Sequence, residues 1–225
     1  MSIAQRIADI HSDVAAACIE AGRKPHEVRV LGACKTKPVE LIREALSAGQ
    51  TLLAENRAQE LRDKAPLLAA YDPAPEWHFI GRLQKNKVKY VVPWAQIVHT
   101  VDSFALAEEI ARRTPGPIGV LIQVNAAHDP AKAGVSPNET LALCKQVEAL
   151  DNITVRGLMT IPPMTEDPES CAPFFAEVTH LAQMGQAAGL QTDILSMGMS
   201  RDYRVAIREG STLIRVGTAI FGSRD

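Results

Sequence analysis

Lys35 closes an apolar run, VRVLGAC (28–34), and Pro38 bars that run from continuing. A lysine held at the mouth of an apolar cavity has its pKa lowered by desolvation, and its free amine attacks an aldehyde to form a Schiff base. Lys37, two residues on, reads as the exposed neighbour. Two glycine turns bring hydroxyls to helix starts. In SMGMSRDY (196–203), Ser200 precedes the helical RDYRVAIRE and is a candidate N-cap able to receive a phosphate. In RVGTAIFG (215–222), Gly217 and Thr218 form the second turn. Arg215 lies inside LIRVG, where a core residue belongs; pointing inward, its guanidinium would be a fixed donor. Asn56 ends TLLAEN, Asn125 ends GVLIQVN, and His78 sits within EWHFIG, where an interior, hydrogen-bonded role is expected. Cys34, adjacent to Lys35 on a strand, should face the other way and pack.

These residues need elements to hold them. Ile3, Ile7, Ile10, Val14 and Cys18 form one apolar helical stripe that ends at Gly22 and Pro25. After it, eight short β-rich runs (28–34, 51–56, 76–81, 97–102, 119–125, 153–160, 193–198 and 212–217) alternate with helical patterns. Strands alternating with helices imply parallel pairing with right-handed crossovers. Eight such units fit a single (β/α)8 TIM-type barrel with an extra N-terminal helix, one domain over residues 1–225, better than the alternative of a doubly wound open sheet. Working residues of such barrels sit where strands end, and their phosphate sites often follow strands seven and eight. Lys35, Asn56, Ser200, Gly217 and Thr218 fall at those ends. The segment 162–170 reads as a long loop.

Composition narrows the functional classes. With 24 Lys plus Arg against 26 Asp plus Glu, the chain has a net charge of −2, and nothing global favours nucleic acid or an anionic membrane. The basic stretch 81–89 has no interleaved aromatics for base stacking and reads as a solvated helix face. Four scattered cysteines argue against disulfides and a structural metal site, so no metal is expected. Charges interrupt the N-terminus, and no run of about 18 apolar residues exists, so a cytoplasmic protein is expected. On the residues alone, a barrel lysine with a phosphate site serves a sugar-phosphate lyase as well as a cofactor protein.

The motifs GACKTKP, AENRAQEL (54–61), WHFIGRLQKNK (77–87), HTVDS (99–103), QVNAAHDPAKAG (123–134), GLMTIPP (157–163), SMGMSRDY and IRVGTAIFG (214–222) decide between these. Together they resemble the pyridoxal 5′-phosphate homeostasis family, single barrels similar to the N-terminal domain of alanine racemase. The resemblance implies a non-catalytic protein that buffers or delivers pyridoxal phosphate, held as an aldimine of Lys35. It implies that Ser200, Gly217 and Thr218 hold the phosphate, that Arg215 faces the pyridine nitrogen, and that Asn56 lines the pocket. Apo-enzymes that receive the cofactor are the implied partners. Arg82, Asp129 and Arg201 depart from the family pattern without touching these contacts. The alternative within the resemblance is an amino-acid racemase, which needs a second base opposite the lysine. In the racemase fold that base is a tyrosine of a further domain, expected to be missing here. A monomer is expected for the same reason, since that domain assembles the racemase dimer. Tyr71, Tyr90 and Tyr203 are the available tyrosines, and none is obviously placed for the role.

Overall fold

A computed structural model describes residues 1–129 and 132–222. Pro130 and Ala131 of the QVNAAHDPAKAG motif lie outside the described residues. Strands β1 (Arg29–Ala33), β2 (Leu52–Glu55), β3 (Glu76–Phe79), β4 (Ile97–Val101), β5 (Ile118–Gln123), β6 (Ile153–Met159), β7 (Ile194–Met199) and β8 (Leu213–Val216) pair in parallel in chain order. Closure is made by β8 against β1, with Leu31 opposite Arg215 and Gly32 opposite Val216. Helices α2 (Val39–Ser47), α3 (Ala58–Leu68), α4 (Val88–Val91), α5 (Phe104–Arg113), α6 (Pro137–Glu148), α7 (Ala172–Ala187) and α8 (Tyr203–Arg208) fill the seven connections, and α9 (Thr218–Phe221) follows β8. The fold is the expected (β/α)8 barrel.

The extra helix α1 (Ile3–Glu20) lies outside the barrel and packs on α2, α8 and α9. Its stripe of Ile3, Ile7, Ile10, Val14 and Cys18 is buried, and each Ile or Val contributes roughly 1.5–3 kcal/mol by leaving water. Ser2 caps it by accepting the Gln5 N–H at 3.2 Å. The Tyr203 hydroxyl donates to Asp13, and Arg204 pairs with Asp13 and Glu20, so α1 is latched to α8. Among the described residues no helix is long and apolar enough to cross a membrane.

Strand alternation divides the core into two layers. Trp77 and Phe79 of β3 join the apolar shell between strands and helices, while Glu76 and His78 bond to groups inside the barrel. The interior floor is apolar. Leu31, Leu52, Ala54 and Leu213 form one cluster, Ile97, Leu121 and Met159 another, and Ile194 touches both.

Candidate functional site

Lys35 leaves β1 into a tight turn in which Thr36 takes a left-handed backbone (φ 63°), a conformation that costs a branched residue about 1–2 kcal/mol. Neighbours hold the turn. Glu60 of α3 accepts the Thr36 N–H at 2.8 Å, Lys64 donates to the Cys34 carbonyl at 3.2 Å, and the Thr36 hydroxyl donates to the Lys35 carbonyl at 2.6 Å. Behind the turn, on the helix side, Glu55 is fully buried and pairs with Lys64 at 2.6 Å, and Lys64 also reaches Glu60 at 2.8 Å. Burial works against the charge on Lys64, but the two carboxylates outweigh it and raise its pKa. Cys34 faces this cluster and donates to the Ala54 carbonyl and to Glu55. Burial drives the Cys34 thiol pKa well up, so Cys34 packs as expected and is no thiolate nucleophile.

Asn56 follows β2 at the same mouth, and its Oδ1 is buried without a hydrogen-bond partner. Gly81, just beyond β3, is where the two exits meet. A Cβ there would lie 1.9 Å from the Asn56 carbonyl oxygen, so only glycine permits the approach. Thr100 adds a 2.6 Å bond to the Gly81 carbonyl.

Near the end of β7 the chain passes through Gly198 (φ 92°), where a Cβ would collide with Ala206 of α8 at 2.6 Å. Asp202, not Ser200, is the N-cap of α8, which begins at Tyr203. The reason is local: the Asp202 carboxylate accepts the Met199 N–H at 2.5 Å, so the helix starts two residues later than the sequence suggests. Ser200 is thereby left in the turn, with its hydroxyl 3.3 Å from that of Thr218. Gly217 caps α9, whose first intrahelical bonds run from Ile220 and Phe221 to the Gly217 carbonyl. The N–H groups of Thr218 and Ala219 precede those bonds, so they are orphan donors of the first turn. Thus Ser200, Gly217, Thr218, Lys35 and Asn56 sit at the exits of four adjacent strands, β7, β8, β1 and β2.

Arg215 is two residues below Gly217 and points into the barrel, buried. Its Nη1 donates to the Ser196 carbonyl at 2.5 Å and hydroxyl at 2.8 Å, and Nη2 donates to the Thr160 carbonyl at 2.9 Å. Of five N–H donors, two remain beyond these three bonds. Burial brings the Arg215 pKa down to about 10, which still leaves it charged at neutral pH.

His78 is interior and bonded at both ring nitrogens, to Glu76 at 3.0 Å and to His99 at 2.8 Å. His99 continues to Ser196 at 2.9 Å. Nothing in the sequence marks His99 or Ser196 as a chemical residue beyond its being polar within a mostly apolar run. Desolvation lowers the pKa of both histidines; at His99 the neighbouring His78 and Arg215 add to it. The unfolded state therefore binds protons the folded state refuses, and stability falls as pH drops below about 6.5. For the fully buried His99 the loss is up to about 1.4 kcal/mol per pH unit. Urea midpoints at pH 7.5 and 5.5 check this: wild type should weaken on acidification, and His99→Gln should flatten the difference.

Other sequence candidates lie elsewhere. Asn125 turns its side chain to the backbone of Asp129, donating to the carbonyl at 2.7 Å, and so builds its own loop. The basic stretch forms a 3-10 turn (Lys85–Lys87) and α4, with Arg82, Lys85 and Lys89 exposed and Lys89 over the Tyr90 ring. All four cysteines are buried and unpaired, and among the described residues no group of three metal-ligating side chains forms.

The pattern of the alanine racemase N-terminal domain matches residues 23–225. A pyridoxal phosphate homeostasis protein of Vibrio cholerae is 42% identical over 100% of this chain and 97% of its own length. Another, from Aquifex aeolicus, is 41% identical over 100% and 99%. The chain belongs to the pyridoxal phosphate homeostasis protein family. Among solved structures of similar proteins, PipY of Synechococcus elongatus with PLP bound is 35% identical, with a TM-score of 0.86 over 98% of this chain and 100% of that one. Alanine racemase of Corynebacterium glutamicum shares the fold alone, at 13% identity, with a TM-score of 0.71 over 96% of this chain and 61% of that one. The homeostasis family thus shares the racemase barrel.

Proposed function

We propose that the chain binds pyridoxal 5′-phosphate at the mouth formed by β7, β8, β1 and β2, and buffers or delivers it without turning over a substrate. The observation that carries the proposal is the convergence there of an amine, two adjoining hydroxyls with orphan N–H donors, and an orphaned buried amide oxygen. Each fits a different part of the cofactor. Ser200, Thr218 and the N–H groups after Gly217 hold the phosphate, Lys35 is the covalent anchor for the aldehyde, and Asn56 Oδ1 takes a donor at the ring edge. Among the described residues the Lys35 ammonium has no carboxylate partner, whereas Lys64 is committed to Glu55 and Glu60. When bound, the cofactor supplies an electron sink whose strength depends on a proton at its ring nitrogen. A charged Arg215 below the site disfavours that proton, because like charges repel. It therefore keeps the sink weak and favours storage over carbanion chemistry.

The tyrosines speak against racemisation. Tyr203 is bonded to Asp13 on the outer helix layer, Tyr71 to Ser47, and Tyr90 lies against Arg62. None is available as the second base. The test is to load the protein and add an apo-enzyme that needs pyridoxal phosphate, with L-alanine in a parallel tube. Recovery of the apo-enzyme's activity with no D-alanine is expected; D-alanine formed at a rate abolished by Lys35→Ala contradicts the proposal. The phosphate clamp has its own consequence. Hydrogen bonds to a charged group are worth about 1.5–3 kcal/mol each, so Ser200→Ala with Thr218→Val should weaken retention by roughly a hundredfold or more. Equilibrium dialysis measures it.

A further inference from the structure

Beyond the residues at the mouth, one set of polar side chains is continuous through the barrel. Arg215 Nη1 meets Ser196 Oγ at 2.8 Å, Ser196 Oγ meets His99 Nδ1 at 2.9 Å, and His99 Nε2 meets His78 Nδ1 at 2.8 Å. His78 Nε2 then meets Glu76 Oε1 at 3.0 Å. At the N-terminal end of the strands, Glu76 is paired with Arg29 at 2.6 Å. The chain thus links five strands, from the partly exposed Arg29–Glu76 pair to the guanidinium beneath the mouth.

Its carboxylate end orders the hydrogens. Arginine has only donors, so Ser196 Oγ accepts from Arg215 whichever way its own hydrogen turns. At the other end the Glu76 carboxyl, held down to about 2 first of all by its bond to His78, accepts only. His78 therefore carries its proton on Nε2 and accepts at Nδ1, which requires His99 to donate from Nε2 and accept at Nδ1. Ser196 then turns its hydrogen to His99 Nδ1, an arrangement that its bond from Arg215 allows. With both rings neutral, the reverse order would set an acceptor nitrogen of His78 against the Glu76 carboxylate.

We propose that Glu76, His78, His99 and Ser196 are positioning residues for Arg215, a one-way hydrogen-bond chain of two neutral histidines that couples the guanidinium to the ion pair at the far end of the barrel. Its functional consequence rests on the reading of Arg215 as the residue that faces the cofactor's ring nitrogen. Ser196 and the Thr160 carbonyl fix where the guanidinium lies; the chain turns the Ser196 hydrogen to His99 and so holds its lone pairs toward Arg215.

Long-range proton–nitrogen spectra of the histidine-labelled full chain at pH 7.5 test the chain without cofactor. His78 and His99 should both be neutral and protonated at Nε2. Glu76→Gln, which can offer an N–H in place of the carboxylate, should move the His99 signals although His78 stands between them. Ser196→Ala should release the His99 tautomer. An imidazolium or an Nδ1–H form of either ring in wild type, or His99 signals unmoved in a folded Glu76→Gln protein, overturns the chain. Pyridoxal phosphate titrations then test its role: both variants should bind at least about fivefold more weakly, the lower end of coupling between linked sites, with a displaced visible absorption maximum. Unchanged affinity and spectrum in both variants overturn the positioning role. Wild type that shows the expected tautomers but takes up no pyridoxal phosphate overturns the cofactor reading and leaves the chain standing.

Discussion

Lys35→Ala protein should stay covalently unmodified when pyridoxal phosphate and then borohydride are added. The substitution removes the amine that leaves β1. Lys64 is tied to Glu55 and Glu60 on the helix side of the strand, and Lys85 and Lys89 are exposed beyond the β3 exit. The cost to folding should be small, within about 0.5 kcal/mol, because Lys35 is half-buried and its side chain supports no buried partner. Loss of the covalent product with an unchanged denaturation midpoint is therefore expected. Non-covalent binding should survive, weakened, because Ser200, Thr218 and the N–H groups after Gly217 still hold the phosphate. Mass spectrometry of the reduced protein and equilibrium dialysis separate the two quantities. Reduction of the cofactor onto another lysine at the same yield would contradict the assignment.

The second large effect falls on stability. Lys64→Met leaves the Glu55 carboxylate fully buried without its cation, and breaking a buried pair on one side costs roughly 3–5 kcal/mol. That is a large part of the total stability of an ordinary domain, about 5–15 kcal/mol. Burial already pushes the Glu55 pKa up against the pull of Lys64, so the lone carboxyl should take a proton. The variant should accordingly regain part of its stability as pH is lowered toward 5. Pairing Lys64→Met with Glu55→Gln removes the stranded charge and should recover most of the loss. Denaturant midpoints of the single and double variants decide it; equal midpoints for wild type and Lys64→Met would contradict the role of the pair. The single variant also removes the Lys64 bond to the Cys34 carbonyl, which keeps only the Lys37 N–H, and takes the cation from Glu60, so the turn carrying Lys35 should loosen with it.

The eight strands are legible because each is a short apolar run closed at its exit by a polar residue or a glycine, and the proposed site lies at four of those exits. Lys35, Asn56 and Gly217 stand at three of them. Ser200 was placed correctly at a strand exit but in the wrong local role, since the Asp202–Met199 bond delays the start of α8. His99 and Ser196 escaped for a different reason. Strands of a covered parallel barrel are buried on both faces, so IVHTV and ILSMG show no alternation from which to read which side chain faces inward. Glu55 and Lys64 join a strand end to a helix, a contact that no local periodicity encodes.

The decisive measurement is a visible spectrum of the purified wild-type protein after addition of pyridoxal phosphate, then borohydride reduction and peptide mass mapping. A yellow band that disappears on reduction, with the phosphopyridoxyl mass on the peptide carrying Lys35, is the predicted result. A protein that stays colourless, or carries that mass only on other lysines, would contradict the proposed site.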